Sequence, residues 1–516
     1  MPKPLPTSTS TFRHIVEGNY LYIDKTEQIY HLVKNPSAAW FLSRPRRFGK
    51  SLLISTLDEL LRGNRELFRG LWIDQSDYVW ETYPIIRLDF NLYPNASAEE
   101  LQNNIKRYLA MTARQYGVTL ADGPYYAQFG DLIIALAEQK QVVILIDEYD
   151  KPLIDNLDNL TEAIQIRATL KGFYGVIKAL DRYVRTTFIT GISRFTKVGV
   201  FSDLNNLTDL TFDERFAAIL GITQAELLHY FADRLPVFAA KEGLTTEDLL
   251  ARIRDWYDGF RFTRLDVRLY NPYSTMNLFD KSSFHNYWFE SGSPTFLIQL
   301  IQQHKYDIQS INELRVEELA FSTYEIDRLA IVPLLFQTGY LTIRDYTSQT
   351  MTYQLYYPNY EVENAFLTYL LDAFSNTEQG LSTSHLWHMV DALTKRDLTA
   401  FFNNLQVLFA NIDYDLHLGY EKYYQTIFYL IFKLIGLRID AEVKTNAGRI
   451  DAVVELAERI YLFEFKLDKS AESALAQIAQ HTYYQKYQAR GKSITCVGVN
   501  FDTSTRGIAE WKTAEI

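Results

Sequence analysis

Two sets of residues in this chain have the types and spacing for chemistry on phosphates. The first is Phe48-Gly49-Lys50-Ser51, inside the segment FLSRPRRFGKSLLISTL. It matches the second half of a G-x-x-x-x-G-K-[ST] phosphate loop. In that loop a glycine lets backbone amides approach phosphate oxygens, the lysine reaches the β and γ phosphates, and the serine hydroxyl holds Mg²⁺. The first glycine of the pattern would fall at position 44, which is Arg44, and Arg46 and Arg47 add positive charge to the loop. Further along, VVILIDEYDKPL is an apolar run that ends in Asp147-Glu148. Asp147 suits Mg²⁺, held through water, and Glu148 suits the general base that polarises an attacking water. A third run, TTFITGISRF, ends in Thr190, Ser193 and Arg194. Thr190 or Ser193 can sense a γ-phosphate, and Arg194 can stabilise transition-state charge. A bare GKS reads as well as a basic loop before a helix, and a bare Asp-Glu as a solvated turn. The ordered pair favours binding of a nucleotide, ATP with Mg²⁺.

The second set lies near the C-terminus. Gly448-Arg449-Ile450-Asp451 is followed by Glu464-Phe465-Lys466. Strand periodicity puts Glu464 and Lys466 on one face and Phe465 on the other. Asp451 and Glu464 are hard oxygen ligands that suit Mg²⁺ or Mn²⁺. A metal so held activates water and offsets charge on a phosphodiester. Lys466 would position or deprotonate that water, or neutralise the developing charge. Taken blind, this short pattern reads first as an ordinary surface salt bridge on a hairpin. Glu442 is a rival ligand, read as a solvated strand residue.

The elements that must position these groups are legible in the apolar patterning. Strands are expected at 38–43, 85–90, 142–147 and 186–192, with helices at 51–63, 98–117 and around 160–181. This alternation reads as a doubly wound α/β domain with a parallel sheet. After Thr211 the pattern turns helical, with helices expected at 223–235 and 245–260. From about 400 the order is two amphipathic helices, strands at 438–445, 449–456 and 459–467, a helix at 471–487 and a strand at 493–500.

The phrases YLYIDKT, FLSRPRRFGKSLL, VVILIDEYDKPL, TGISRFTKVGVFSDLNNL, YNPYSTMN and YWFESGSPTFL span most of the chain. With them the sequence resembles the predicted AAA-ATPase-like proteins fused to a C-terminal PD-(D/E)XK nuclease domain. That resemblance implies a P-loop NTPase core of AAA/STAND-like type over residues 1–210 and a helical lid over 211–285. It implies a mixed, mostly helical linking region over 286–400 and an α/β restriction-endonuclease-like domain over 401–516. Arg44 in place of a glycine is similar to the family pattern. The resemblance also suggests that Tyr22, Asp24 and Lys25 lie near the nucleotide. Glu421 matches the acidic residue that the nuclease fold often adds to its metal site. Gln477 sits where relatives place a glutamine, and Tyr487 nearby is a candidate substrate contact. The implied activity is an ATPase with a metal-dependent nuclease gated by ATP. Two rival readings are a nucleotide switch that binds nucleic acid without cutting it, and a motor on DNA.

Composition bounds these readings. At about 150 residues per domain, 516 residues suggest roughly three domains. With 47% hydrophobic and 22% charged residues the chain is an ordinary globular one, not a disordered or fibrous one. The net charge of −11 excludes a purely electrostatic nucleic-acid binder. It requires instead a local basic surface whose hold on nucleic acid is weak and salt-sensitive. DNA is the expected partner ahead of RNA, a choice the residues themselves leave open. One cysteine, Cys496, excludes an intrachain disulfide and a cysteine-rich zinc site. No apolar stretch is long enough for a membrane span, and the start lacks a signal-peptide core. The expected location is the cytoplasm, with no membrane partner and a homo-oligomer left open. The first ten residues, rich in proline, serine and threonine, are expected to form a loose tail.

Overall fold

The computed structural model describes residues 2–34, 38–194, 201, 204, 206–291, 295–304, 306–321, 330–375, 381–410, 420–439, 442–445, 452–502, 504 and 507–516. The chain divides into two compact units, Met1–Gly292 with Glu313–Val362, and Ser293–Asn312 with Glu363–Ile516.

The first unit is built on five parallel strands: β1 (Ala38–Ser43), β2 (Ile85–Asp89), β3 (Val142–Asp147), β4 (Val184–Gly191) and β5 (Leu207–Asp209). Their order in the sheet is β2-β3-β4-β1-β5. All six residues of β3 are buried, as a central parallel strand covered on both faces requires. The order sets β4 between the strand that enters the phosphate loop and the strand that ends in Asp147. Helices at Lys50–Leu61, Ala98–Gln115, Tyr125–Ala137 and Leu160–Ala179 connect the strands. Two of them begin at predictable caps: Ser97 accepts from the Glu100 amide and Asn159 from the Glu162 amide. The helix Tyr125–Ala137 and the short β5 were not expected from the sequence. The strand is brief, only three residues long.

After the sheet, the expected helix at 223–235 is broken into two, Gln224–Tyr230 and Leu235–Glu242. Pro236 at the start of the second explains the break, since proline is tolerated in a first turn and not in a helix interior. A capping box of Thr223 and Glu226 opens the first of them. These helices, with Thr246–Tyr257 and Pro272–Lys281, share one core that includes Ile222, Phe231, Phe238, Tyr257 and Phe279. Leu5 and Leu21 are part of the same core. The N-terminal residues are therefore not a loose tail. The Leu21 amide donates to the Pro4 carbonyl at 2.9 Å, and burial of Leu5 pins the segment down. This unit also holds a small antiparallel sheet of β6 (Arg315–Glu317), β7 (Thr342–Thr347) and β8 (Thr352–Tyr356), in the order β6-β8-β7.

The second unit carries a mixed sheet, β13-β12-β11-β10-β9, made of β9 (Glu442–Thr445), β10 (Ala452–Glu455), β11 (Arg459–Leu467), β12 (Ser493–Asp502) and β13 (Gly507–Glu515). β11 pairs antiparallel with β10 and parallel with β12. The last strand, β13, was not expected. Its pattern of burial is mostly exposed, as an edge strand's is, so it lacks a strong apolar signal. The long helix Tyr420–Ile439 runs through 438 and 439, so β9 starts later than expected. Phe428 and Phe432 of that helix pack on Phe463 and Phe465, with Phe428 stacked on Phe465 at 4.1 Å. On the other face, Ile460 and Leu462 pack with Ile478 of the helix Ala471–Gln480 and with Cys496.

Candidate functional site

The phosphate loop runs from β1 into the helix Lys50–Leu61. Gly49 caps that helix in a left-handed conformation, φ 96°, and leaves the first-turn amides free to face an anion. Arg47 is also left-handed, φ 64°, a strained position for a residue with a Cβ and one often found in ligand loops. The Arg47 guanidinium lies over the Tyr273 ring at 4.5 Å. Phe48 points the other way and is fully buried, its ring meeting Phe260 at 4.9 Å and Phe262 at 5.4 Å. It anchors the loop to the helical region.

Arg44 does not face the phosphates. It is 1% exposed, donates to the Ser43 and Thr211 carbonyls at 2.9 and 3.0 Å, and lies over Phe262 at 4.2 Å. Burial lowers its pKa and Asp209 opposes that, yet a guanidinium keeps its charge. Arg44 thus ties the loop to the turn after β5. The position that is glycine in the general pattern is here a structural brace.

Around Lys50 the sheet topology gathers three carboxylates, Asp147, Glu148 and Asp150, with a fourth, Asp89, beside them. Lys50 Nζ donates to the Arg44 and Pro45 carbonyls, each at 2.9 Å. Burial pulls its ammonium below the ordinary lysine range, and Glu148, Asp147 and Asp150 hold it up. Glu148 follows β3 with φ 50°, and burial pushes its carboxyl up, opposed by Lys50 and assisted by Asp147, Asp150 and Asp89. Asp150 is 1% exposed and accepts from the Ile192 amide at 3.0 Å and from the amide and hydroxyl of Ser193 at 2.6 and 2.5 Å. A Cβ on Gly191 would stand 2.6 Å from Asp150 Oδ1 and 2.4 Å from the Tyr149 ring, so glycine is what lets this turn close. Asp89, opposite Asp147 in the β2–β3 register, is raised by burial and by Asp147.

Asp147 is 1% exposed. Its Oδ1 accepts from the Thr190 hydroxyl at 2.5 Å and from the Glu148 amide at 3.1 Å, and its Oδ2 is buried without a hydrogen-bond partner. Such an oxygen is costly unless something completes it, and a hard divalent cation does so. Ser51, in the first turn of the phosphate-loop helix, supplies a neutral hydroxyl oxygen, also a hard ligand. The donor set therefore fits Mg²⁺. Thr190, expected to sense a γ-phosphate, is instead committed to orienting Asp147.

Arg46, Arg47, Gly49, Lys50, Ser51, Glu148 and Asp150 line one cleft of about 600 Å³. Arg194 is not among its walls. Its guanidinium pairs with Asp209 at 2.7 Å and lies over the Phe212 ring. Of the three residues expected near a nucleotide, Tyr22 and Lys25 border an adjoining apolar space. Asp24 instead accepts from the amide and hydroxyl of Thr26, at the start of the helix Thr26–Val33, and from the Trp72 amide. Sequence reasoning missed Asp150 and Asp89. Asp150 was visible as the third carboxylate of DEYD, but only the β4 turn gives it partners. Asp89 had the signal of ending an apolar strand.

In the second unit, Lys466 Nζ donates to Glu464 Oε1 at 2.7 Å, with Glu464 buried and Lys466 largely so. Both lie on the face of β11 that carries Ile460 and Leu462, opposite the aromatic face. Glu464 is paired in register with Gly498, where a Cβ would come within 2.3 Å of the Ala471 carbonyl. The helix Ala471–Gln480, which carries half-buried Gln477, therefore crosses the sheet beside Glu464. Asp451 lies outside the described residues, as does the side chain of Glu421, which falls in the first turn of Tyr420–Ile439. Ala452, next to Asp451 in sequence, stands opposite Phe463, next to Glu464. Tyr487 is 3% exposed, within a core of Ile460, Leu462, Ile478 and Cys496. This corrects its reading as a substrate contact: its ring is spent on packing. Among the described residues no group of three or more His, Cys, Asp or Glu side chains gathers as a metal site.

A parallel sheet with a phosphate loop and an acidic strand end, followed by a mixed sheet bearing E-x-K, defines a P-loop ATPase-type protein with a restriction-endonuclease-like unit. Residues 6–201 match the family model described as predicted AAA-ATPase, and residues 419–511 match that of the PD-(D/E)XK nuclease superfamily. The chain is 37% identical over 524 residues to a protein of Azotobacter chroococcum mcd 1, described as an uncharacterized protein in vnfD 5'region, covering 98% of each chain. The chain belongs to the predicted AAA-ATPase family and carries a C-terminal PD-(D/E)XK nuclease-superfamily domain. Among the described residues no helix is long and apolar enough to cross a membrane.

Proposed function

We propose that this protein binds and hydrolyses ATP in its first unit and cleaves nucleic-acid phosphodiesters in its second, with cleavage gated by the nucleotide. The observation that carries the ATPase half is the cleft in which Lys50, Glu148 and Asp150 meet, next in the chain to Asp147 with its buried, unpartnered oxygen. Lys50 and the first-turn amides would hold the phosphates. Glu148, made a stronger base by burial that pushes its carboxyl up, would polarise the attacking water. Asp147 and Ser51 would hold Mg²⁺, which supplies charge neutralisation on the phosphates when bound.

The nuclease half is supported by the Glu464–Lys466 pair on one face of β11 and by the family match. Glu464, with Asp451 and Glu421, would hold Mg²⁺ or Mn²⁺, and Lys466 would position water or neutralise charge. Gln477 would stand beside the substrate. DNA, met by a local basic surface in the cytoplasm, is the proposed substrate. Two sites in one chain motivate the gating.

The test is a cleavage panel of single- and double-stranded DNA and RNA with Mg²⁺ or Mn²⁺, with and without ATP. Wild type should cut, and Asp451→Ala should not. An Asp451→Ala protein that cuts as wild type does would overturn the site. Equal cleavage with and without ATP would overturn the gating. Retained binding with no cleavage in any metal would favour a nucleotide-dependent switch.

A further inference from the structure

Two of the phrases that mark the sequence, YNPYSTMN and YWFESGSPTFL, contribute no reacting group. Ser274 of the first and Trp288 of the second meet at one side chain, Glu361, in the first turn of the helix Tyr360–Phe374. Glu361 is fully buried and is not among the walls of the phosphate cleft. All three residues lie outside the stretches that match the family models, 6–201 and 419–511. A buried carboxylate costs more than an apolar side chain of its size unless its hydrogen bonds hold something in place.

What Glu361 holds leads back to the phosphate loop by two arms. On one, the Trp288 amide donates to Glu361 Oε1 at 2.8 Å, and the indole Nε1 of the same residue donates to the Arg46 carbonyl at 3.2 Å. Gly339, φ 91°, packs on both the loop and the tryptophan. A Cβ there would stand 2.7 Å from Pro45 Cβ and 3.3 Å from the Trp288 ring. On the other arm, the Ser274 hydroxyl donates to Glu361, 2.9 Å from Oε2 and 3.1 Å from Oε1. The neighbouring Tyr273 lines the cleft and carries the Arg47 guanidinium over its ring at 4.5 Å.

The two arms end on adjacent residues, Arg46 and Arg47, and both of these line the cleft. The left-handed backbone of Arg47, φ 64°, is a conformation that persists only where its surroundings impose it. Arginine side chains lose rotamer freedom when they are fixed. A cation placed before its anion arrives therefore binds that anion more tightly.

We propose that Glu361 is a positioning residue of the phosphate site. It sets Arg46 and Arg47 in the cleft through Trp288 and Ser274, and does not itself reach the nucleotide. This rests on the phosphate-loop reading.

The test is a double-mutant cycle read by equilibrium binding of ATP to the full-length protein in Mg²⁺. Wild type is compared with Glu361→Ala, with Arg46→Ala/Arg47→Ala, and with all three changes together. Glu361→Ala should weaken ATP about tenfold, and the triple variant should bind within about twofold of the arginine variant, because residues that act through one another are not additive. Trp288→Phe keeps a ring and removes the hydrogen bond to Arg46. It should weaken ATP about threefold in wild type and leave the Arg46→Ala/Arg47→Ala protein unchanged. Should Glu361→Ala fail to fold, the Trp288→Phe cycle decides alone. Unchanged ATP affinity in Glu361→Ala would overturn the proposal while sparing the phosphate loop. Additive losses would overturn it too, since they mark a merely structural part. If wild type does not bind ATP, the phosphate-loop reading and the positioning role fall together.

Discussion

The two lysine–carboxylate sites of this chain are assembled in opposite ways. In the first unit, Lys50 follows the end of β1 while Glu148 and Asp150 follow the end of β3, and only the order β2-β3-β4-β1-β5 brings them to one cleft. Parallel strands discharge their loops at one edge of the sheet, so groups distant in sequence meet there. In the second unit, Glu464 and Lys466 lie two residues apart on β11 and touch because a strand repeats every second residue. The first site depends on tertiary packing for its existence. The second depends on it for burial and for the ligands that must join the pair.

The largest effects should come from the reacting groups and should leave the other unit's chemistry intact. Glu148→Gln should lower ATP hydrolysis by about 10²–10⁴-fold while ATP still binds, measured by phosphate release and by titration. Glu464→Gln should lower nuclease rate by a similar factor, about 10²–10⁴, with ATP hydrolysis unchanged. A Glu464→Gln protein that cuts normally would remove β11 from the comparison.

Next come packing changes. Gly498→Ala places a methyl 2.3 Å from the Ala471 carbonyl and should destabilise the second unit by about 1–3 kcal/mol, seen as an earlier denaturant transition. The first unit's transition should not move.

The smallest effect sharpens the electrostatic side. Since burial and three carboxylates raise Glu148, ATP hydrolysis should fall as pH drops, with a midpoint above the ordinary carboxylate range. Asp150→Asn removes one like charge and should shift that midpoint downward. It also weakens the β4 turn, so kcat should drop several-fold. An unmoved midpoint would show that Asp150 acts only as a clamp.

Much of this was legible in the sequence. The four long strands of the parallel sheet and E-x-K on a strand followed from apolar runs and period-2 spacing. The loop, Asp147 and Glu148 followed from motif chemistry. Other features were not legible, for physical reasons. Thr190 looked available for a γ-phosphate because hydrogen-bond partners across strands do not show in sequence, and it proved bound to Asp147. Arg194 looked like a charge stabiliser, and Asp209 at the end of the unforeseen β5 claims it. Tyr487 looked like a substrate contact because the sequence does not show that its ring completes a core.

The sequence by itself determined which chemistry each unit can attempt, because a Gly-Lys-Ser loop, an acidic strand end and an E-x-K strand are local facts of residue type and spacing. Only the tertiary structure decided which carboxylates share Lys50, why Arg44 serves as a buried brace, and that the N-terminal residues form a wall of the cleft. Those are contacts between distant segments, fixed by strand order and core packing, which no single stretch of chain encodes.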